Sequence, residues 1–373
     1  MSTQPLFTPT QIGPFTLEHR VVMAPLTRMR SSEGNVPNEL MAEYYAQRAT
    51  RGGLIIAEAT PVSPYGFGYA GSPGIFTQAQ VDGWRTVVDA VHEKGGLIFL
   101  QLWHVGRQSH PLLQPRNIDP VAPSAIKADG DAYAKTGPVA FAMPRALALA
   151  EIPDIIESFR RGAELAKEAG FDGVEIHGAN GYLPDQFLQD GTNVRTDAYG
   201  GPIEHRARFL LEITQAAISV WGQGRVGVRL SPSSSYGSMH DSDPKATFGY
   251  VARQLDTMGL AYLHVVEPRI KGNETIDEDA EPVAVQYLRQ LFNGPIIAAG
   301  GFQRENAEAL VSEGSADMVA FGRAFIANPD LARRLHDDLP LNAYDRDTFY
   351  GGDAAGYTDY QFVGERFQRR NVS

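Results

Sequence analysis

Cysteine is absent from the chain, and that one omission removes disulfides, thiolate nucleophiles, thiolate-built zinc sites and iron–sulfur ligation together. Any redox chemistry must come from a bound organic cofactor. Apolar runs long enough to span a bilayer are also missing, and Met1-Ser-Thr-Gln-Pro5 lacks the basic start and apolar stretch of a secretory leader. A cytoplasmic protein without a membrane partner is expected. Positive charge is in deficit: 33 Lys and Arg against 44 Asp and Glu leave a net charge of −11, a field that repels nucleic acid and anionic lipid. No nucleic-acid partner is expected, and an anionic ligand would need a local device such as an Arg or a cluster of backbone N–H groups. What remains is good material for a packed globule, because 43% hydrophobic and 21% charged residues over 373 positions argue against disorder.

Eight short β-rich runs recur along the chain: Val21–Pro25, Gly53–Ala57, Gly96–Gln101, Gly173–His177, Arg225–Arg229, Tyr262–Val266, Pro295–Ala299 and Asp317–Phe321. Between them lie segments with helical spacing, such as Val81, Trp84, Val87, Val88 and Val91, or Ile155, Phe159, Ala163 and Ala166. The helices are expected at roughly 38–50, 78–94, 154–169, 205–221, 246–258, 281–292, 304–313 and 329–337. A βα unit repeated this way predicts a parallel sheet covered outside by helices, and eight strands close a (β/α)8, or TIM, barrel. An open doubly wound sheet is the alternative, but no Gly-x-Gly-x-x-Gly follows the first strand.

The whole of 1–373 is read as a single domain. A hairpin around Gly13-Pro14 should plug the barrel floor, and residues 103–152, rich in proline and without helical period, form an extended excursion over the mouth after strand 3. The Gly- and Tyr-rich tail from Asn342 to Ser373 should wrap as a loop.

In such a barrel, chemistry sits at the C-terminal strand ends. The fourth strand ends in His177-Gly-Ala-Asn180-Gly-Tyr182, three hydrogen-bonding side chains in a tight turn. His177 and Asn180 can converge on one carbonyl oxygen and polarise it. Tyr182, a weak acid, suits delivery of a proton to a carbanion or enolate. The bland alternatives are a satisfied core histidine and an aromatic lining the mouth. No third His or carboxylate stands at ligand spacing, so no metal is expected. Gly300-Gly301 after strand 7 and Gly322-Arg323 after strand 8 resemble a phosphate cradle, although glycines that merely permit turns are the plain reading. Arg229, charged within an apolar strand, should meet an anion: either a ligand that gathers negative charge or the Glu175 carboxylate. Gln101 and Thr27 offer an amide and a hydroxyl to a flat heterocycle, or make routine core hydrogen bonds.

These residues stand within longer motifs. Val21-Val-Met-Ala-Pro-Leu-Thr-Arg28, Glu58-Ala-Thr60, Gln101-Leu-Trp-His-Val-Gly-Arg107, His177-Gly-Ala-Asn-Gly-Tyr-Leu183, Asn193-Val-Arg-Thr-Asp-Ala-Tyr-Gly-Gly201 and Phe321-Gly-Arg-Ala-Phe-Ile-Ala-Asn-Pro-Asp330 resemble the old yellow enzyme family. The resemblance runs from about Leu6 to Tyr360 and is greatest to the bacterial branch with N-ethylmaleimide and glycerol trinitrate reductases. It implies a (β/α)8 barrel that holds FMN non-covalently and uses NAD(P)H to reduce activated alkenes: unsaturated carbonyls, maleimides and nitroalkenes, with nitrate esters or nitroaromatics as further acceptors.

By position, the resemblance places Pro25, Leu26, Thr27, Ala59, Gln101 and Arg229 around the flavin ring and Gly300, Gly301, Gly322 and Arg323 at its phosphate. It gives His177 and Asn180 the substrate oxygen, Tyr182 the proton, and Trp103, Tyr69 and Tyr350 the pocket wall. Asn180 stands where some relatives have a second His, and Thr27 where another branch has Cys. The tail Gly356-Tyr-Thr-Asp-Tyr-Gln361 lacks the Pro common after the last Tyr. The partner is a small molecule, and the assembly a monomer or homodimer. The rival readings are a flavin-free phosphate-binding barrel, an isomerase or an aldolase, and a non-catalytic flavin-binding protein; a Schiff-base aldolase would want a Lys at a strand end, and none of the eight ends carries one.

Overall fold

Strands that are apolar on both faces can bury themselves only in a sheet with side chains packed on each side of it. The computed structural model, which describes residues 4–268, 270–271, 274–275 and 284–364, solves this by closure. Its barrel strands are β1 (Val21–Met23), β2 (Leu54–Pro61), β3 (Leu97–Trp103), β4 (Gly173–Gly178), β5 (Val226–Leu230), β6 (Tyr262–Val266), β7 (Ile296–Ala299) and β8 (Met318–Phe321). Each lies parallel to the next, and β8 pairs back onto β1. The expected eight-stranded barrel is therefore present, in chain order.

The outer ring begins with α1 (Glu39–Arg48), α2 (Gln78–His92), α3 (Ile152–Glu168), α4 (Leu183–Leu188) and α5 (Ile203–Trp221). It continues with α6 (Pro244–Asp256), α7 (Val285–Arg289), α8 (Arg304–Ser312), α9 (Arg323–Ala327) and α10 (Leu331–His336). Their starts are written in the sequence. Asn38 accepts from the Met41 N–H, Thr77 and Gln80 cap each other reciprocally, and Asp243 accepts from Ala246 N–H. The stripe Val81, Trp84, Val87, Val88 and Val91 is buried as its spacing requires. Two short helices, α4 and α9, lie where loops were expected; Pro184 in the first turn favours the start of α4. Residues 281–283 of the expected sixth helix and 365–373 of the tail lie outside the described residues.

Two apolar layers hold the barrel. Inside, Val22, Leu54, Ile56, Phe99 and Tyr262 pack with Ile12 and Leu17 from the hairpin Thr10–Ile12/Phe15–Leu17, so the hairpin does close the floor. Gly13 turns it at φ +47°, and a Cβ there would stand 1.9 Å from the Gly224 carbonyl oxygen, so a side chain is excluded. Outside, a larger cluster joins the other strand faces to the helices.

The excursion after β3 carries the hairpin Asp131–Ala134/Gly137–Ala140 with a small core of Ala128, Ala132 and Phe141. It is tied to the loop after β2: Tyr133 N–H donates to the Gly68 carbonyl (2.9 Å) and Ala70 N–H to the Tyr133 carbonyl (2.8 Å). Among the described residues, no helix is long and apolar enough to cross a membrane.

Candidate active site

At the C-terminal ends of the strands the inner layer stops, and a cleft of about 660 Å³ opens, within the roughly 300–1,000 Å³ usual for small-molecule and cofactor sites. Small side chains make the room: Ala24, Ala59, Ala299 and Ala320 line it where larger residues would fill it. Ala59 reaches the cleft because β2 changes register against β3 between Ala57 and Thr60, a bulge of the kind that re-aims side chains near active sites.

One wall is β4 and the turn after it. His177 is 3% exposed, and its Nδ1 is buried without a hydrogen-bond partner. Its ring lies between Trp103, with centroids 6.3 Å apart, and Tyr182, edge-on at 4.8 Å. Burial, and then the positive charge of Arg229, lower its pKa well below 6.5, so the imidazole is neutral at physiological pH. Asn180 adopts φ +57°, a left-handed conformation that Asn tolerates. Its backbone is clamped on both sides: its N–H donates to Ser231 Oγ (2.7 Å), and its carbonyl accepts from Gln108 Nε2 (2.8 Å). The Asn180 side chain thus faces the same cleft as His177. Tyr182 is 7% exposed; burial, with Tyr236 adding to it, holds the phenol well above its ordinary pKa of 10. It stays protonated through the physiological range.

The two strands paired with β4 add a cation and an amide. Arg229 lines the cleft, and its Nε is buried without a hydrogen-bond partner. Glu175 acts on Arg229 through its charge, while its two oxygens accept from Gln101 Nε2 (2.7 Å) and His264 Nδ1 (2.9 Å). Gln101, with its N–H so engaged, reaches the cleft beside Pro25, Leu26 and Thr27. Farther along, Gly300 (φ +145°) and Gly301 (φ +65°) bend the chain after β7; a Cβ on Gly300 would stand 2.7 Å from that of Glu267. Gly322 and Arg323 close this end, with the Arg323 guanidinium 5.8 Å from the Tyr344 ring centroid.

Fifteen of the sixteen residues singled out from the sequence line this cleft, from Pro25 to Tyr350. The exception corrects an expectation: Trp103 is fully buried and sits behind the wall, packed on Tyr69 (5.8 Å), His177 and Tyr182 (5.0 Å). Its position at the end of β3 puts the indole among these rings, so it supports them. Sequence reasoning missed Tyr133, stacked on Tyr69 at 5.1 Å and 10°, and Tyr236. Tyr133 arrives on the hairpin of the excursion and Tyr236 on the loop after β5, both far in sequence from the motifs at the strand ends. It also left His264 out of the site.

A flat, polar-edged ring with an anionic tail fits this donor set: an orphaned guanidinium and an amide on one side, a glycine turn and an arginine on the other. The fold and site therefore define a flavin-dependent oxidoreductase barrel. The family model for the NADH:flavin oxidoreductase / NADH oxidase family matches residues 5–342, and the chain belongs to that family, the old yellow enzymes, which use FMN and NAD(P)H. The chain is 51% identical to 12-oxophytodienoate reductase 1 of Oryza sativa subsp. japonica over 97% of its own length and 94% of the relative's. A structure of morphinone reductase in complex with tetrahydroNAD superposes with a TM-score of 0.91 at 49% identity, covering 97% of this chain and 99% of that one. The old yellow enzyme homologue of Zymomonas mobilis gives 0.90 at 42%, covering 95% and 99%.

Proposed function

We propose that the protein is an ene-reductase whose substrates are alkenes activated by a carbonyl, imide or nitro group, with nitrate esters and nitroaromatics as alternative acceptors. Residues 1–373 act as one FMN-binding unit. Pro25, Leu26, Thr27, Ala59, Gln101 and Arg229 seat the ring, and Gly300, Gly301, Gly322 and Arg323 hold the phosphate. FMN, reduced by NAD(P)H when bound, supplies the hydride that goes to the β carbon of the alkene.

The chain's own residues do the rest. Neutral His177 and the Asn180 amide donate to the substrate oxygen and stabilise the negative charge that grows there as the β carbon is reduced. Tyr182, protonated throughout the physiological range, gives its proton to the α carbon. Tyr69 and Tyr350 form the walls that hold the alkene flat, and Trp103 stiffens His177 and Tyr182 from behind. The reading is carried by one observation: a neutral imidazole, an unengaged amide and a high-pKa phenol share one cleft with a buried guanidinium. The names of the relatives, reductases of 12-oxophytodienoate and of morphinone, support it.

Rapid mixing tests it in two halves. Tyr182→Phe should slow oxidation of the reduced enzyme by an enone roughly 10²–10⁴-fold, while NADPH still reduces the flavin at a rate close to wild type. An enone step at the wild-type rate would show that the proton comes from another source.

A further inference from the structure

Glu175 lies in the middle of β4, fully buried between the apolar Val174 and Ile176 in sequence. An ionised carboxylate in such a place is costly unless donors and a countercharge surround it. Its surroundings come from both flanks. On β3, Gln101 is its register partner and donates Nε2–H at 2.7 Å. On β6, His264, itself 0% exposed, donates Nδ1–H at 2.9 Å. Between them β5 carries Arg229, the register partner of both His177 and His264. Glu175 thus does not itself line the cleft, yet it bonds to one residue that does, Gln101, and its charge acts on another, Arg229.

We propose that Glu175 is a positioning residue for the flavin: its carboxylate fixes the Gln101 amide and offsets the Arg229 charge, and so sets the affinity and reduction potential of bound FMN. The inference rests on the reading of Gln101 and Arg229 as neighbours of the ring. With Nε2 committed to Glu175, Gln101 has its carbonyl oxygen left for the cofactor, so the amide cannot turn over without breaking a charge-assisted hydrogen bond. The countercharge matters because reduced flavin is negative. An Arg229 partly offset by Glu175 stabilises that form less than a bare guanidinium would.

The test uses the full-length holoenzyme and reads the two-electron midpoint potential together with the dissociation constant for FMN. Glu175→Gln, which keeps the shape and removes the charge, should move the equilibrium toward reduced flavin by about tenfold, a rise of about 30 mV. FMN affinity should stay within about threefold of wild type, because the substituted amide keeps an oxygen that accepts from Gln101 Nε2. Glu175→Asp supplies an independent arm if the Gln variant does not fold: its shortened carboxylate should lose Gln101 and weaken FMN binding at least fivefold, with the equilibrium between oxidised and reduced flavin within threefold of wild type, about 14 mV. A Gln variant at the wild-type potential, or an Asp variant at wild-type affinity, overturns the proposal. Arg229→Gln separates the two readings. If it lowers the potential while Glu175→Gln does nothing, only Glu175's role is wrong; if it changes neither potential nor affinity, Arg229 does not flank the flavin and both readings fall.

Discussion

His177 shows how one buried charge decides the state of another group. The lack of solvent, and then the cation at Arg229, lower the imidazole's proton affinity, so His177 offers a neutral N–H to the cleft and does not titrate near pH 7. Glu58 is the opposite case. Burial raises its carboxyl to about 7, against hydrogen bonds from Arg28 N–H and Tyr45 that lower it. Because the folded pKa lies above the ordinary carboxyl value of 4.5, the folded state holds the proton more tightly. The stability this gives is complete below the unfolded pKa and is lost as pH rises through the folded one. Relative to wild type, Glu58→Gln should therefore gain on the order of 2–3 kcal/mol between pH 4.5 and 7.5, measured by urea denaturation at each pH. A gap that stays constant across this range would mean that Glu58 is ionised throughout.

At the scale of elements, the segment after β1 and the tail form a single wall. Arg28 donates to the carbonyls of Phe349, Thr348 and Gly356 at 2.9, 3.2 and 2.7 Å, and Arg30 to those of Asp353, Thr348 and Ala355 at 2.9, 2.9 and 3.2 Å. Gly351 N–H returns a bond to the Arg28 carbonyl at 2.9 Å. The tail's Tyr350 faces the cleft from this anchored stretch. Arg30→Ala should loosen it: limited proteolysis within 348–356 should speed up severalfold and KM for the alkene rise more than kcat falls. If the cleavage pattern and KM match wild type, Arg28 suffices to hold the tail. The tail was legible as a loop from its Gly and Tyr content. Its anchoring was not, because two arginines paired with backbone carbonyls leave no charge pattern to read.

Across the whole molecule, the floor and the mouth of the barrel divide stability from chemistry. Ile12 is 0% exposed beneath Val22 and Leu54, at the opposite ends of the strands from His177 and Arg229. Ile12→Ala should cost about 2–5 kcal/mol in denaturant unfolding and leave the FMN dissociation constant within twofold of wild type. A matching loss of cofactor affinity would show that the floor is coupled to the site.

Apolar runs of four to six residues, the helical stripes between them and the capping residues are local signals, and through them the order of β and α elements, the number of strands and the polar strand ends could be read directly. Only closure of the sheet could decide which side chains meet. It set Glu175 between Gln101 and His264, moved Trp103 behind the wall it was expected to form, and brought Tyr133 from the excursion hairpin and Tyr236 from the loop after β5 to the cleft. The reason is physical: hydrophobic periodicity specifies which face of an element is buried, whereas the partners of a buried polar group come from strands up to 89 positions away, and no local pattern records that distance.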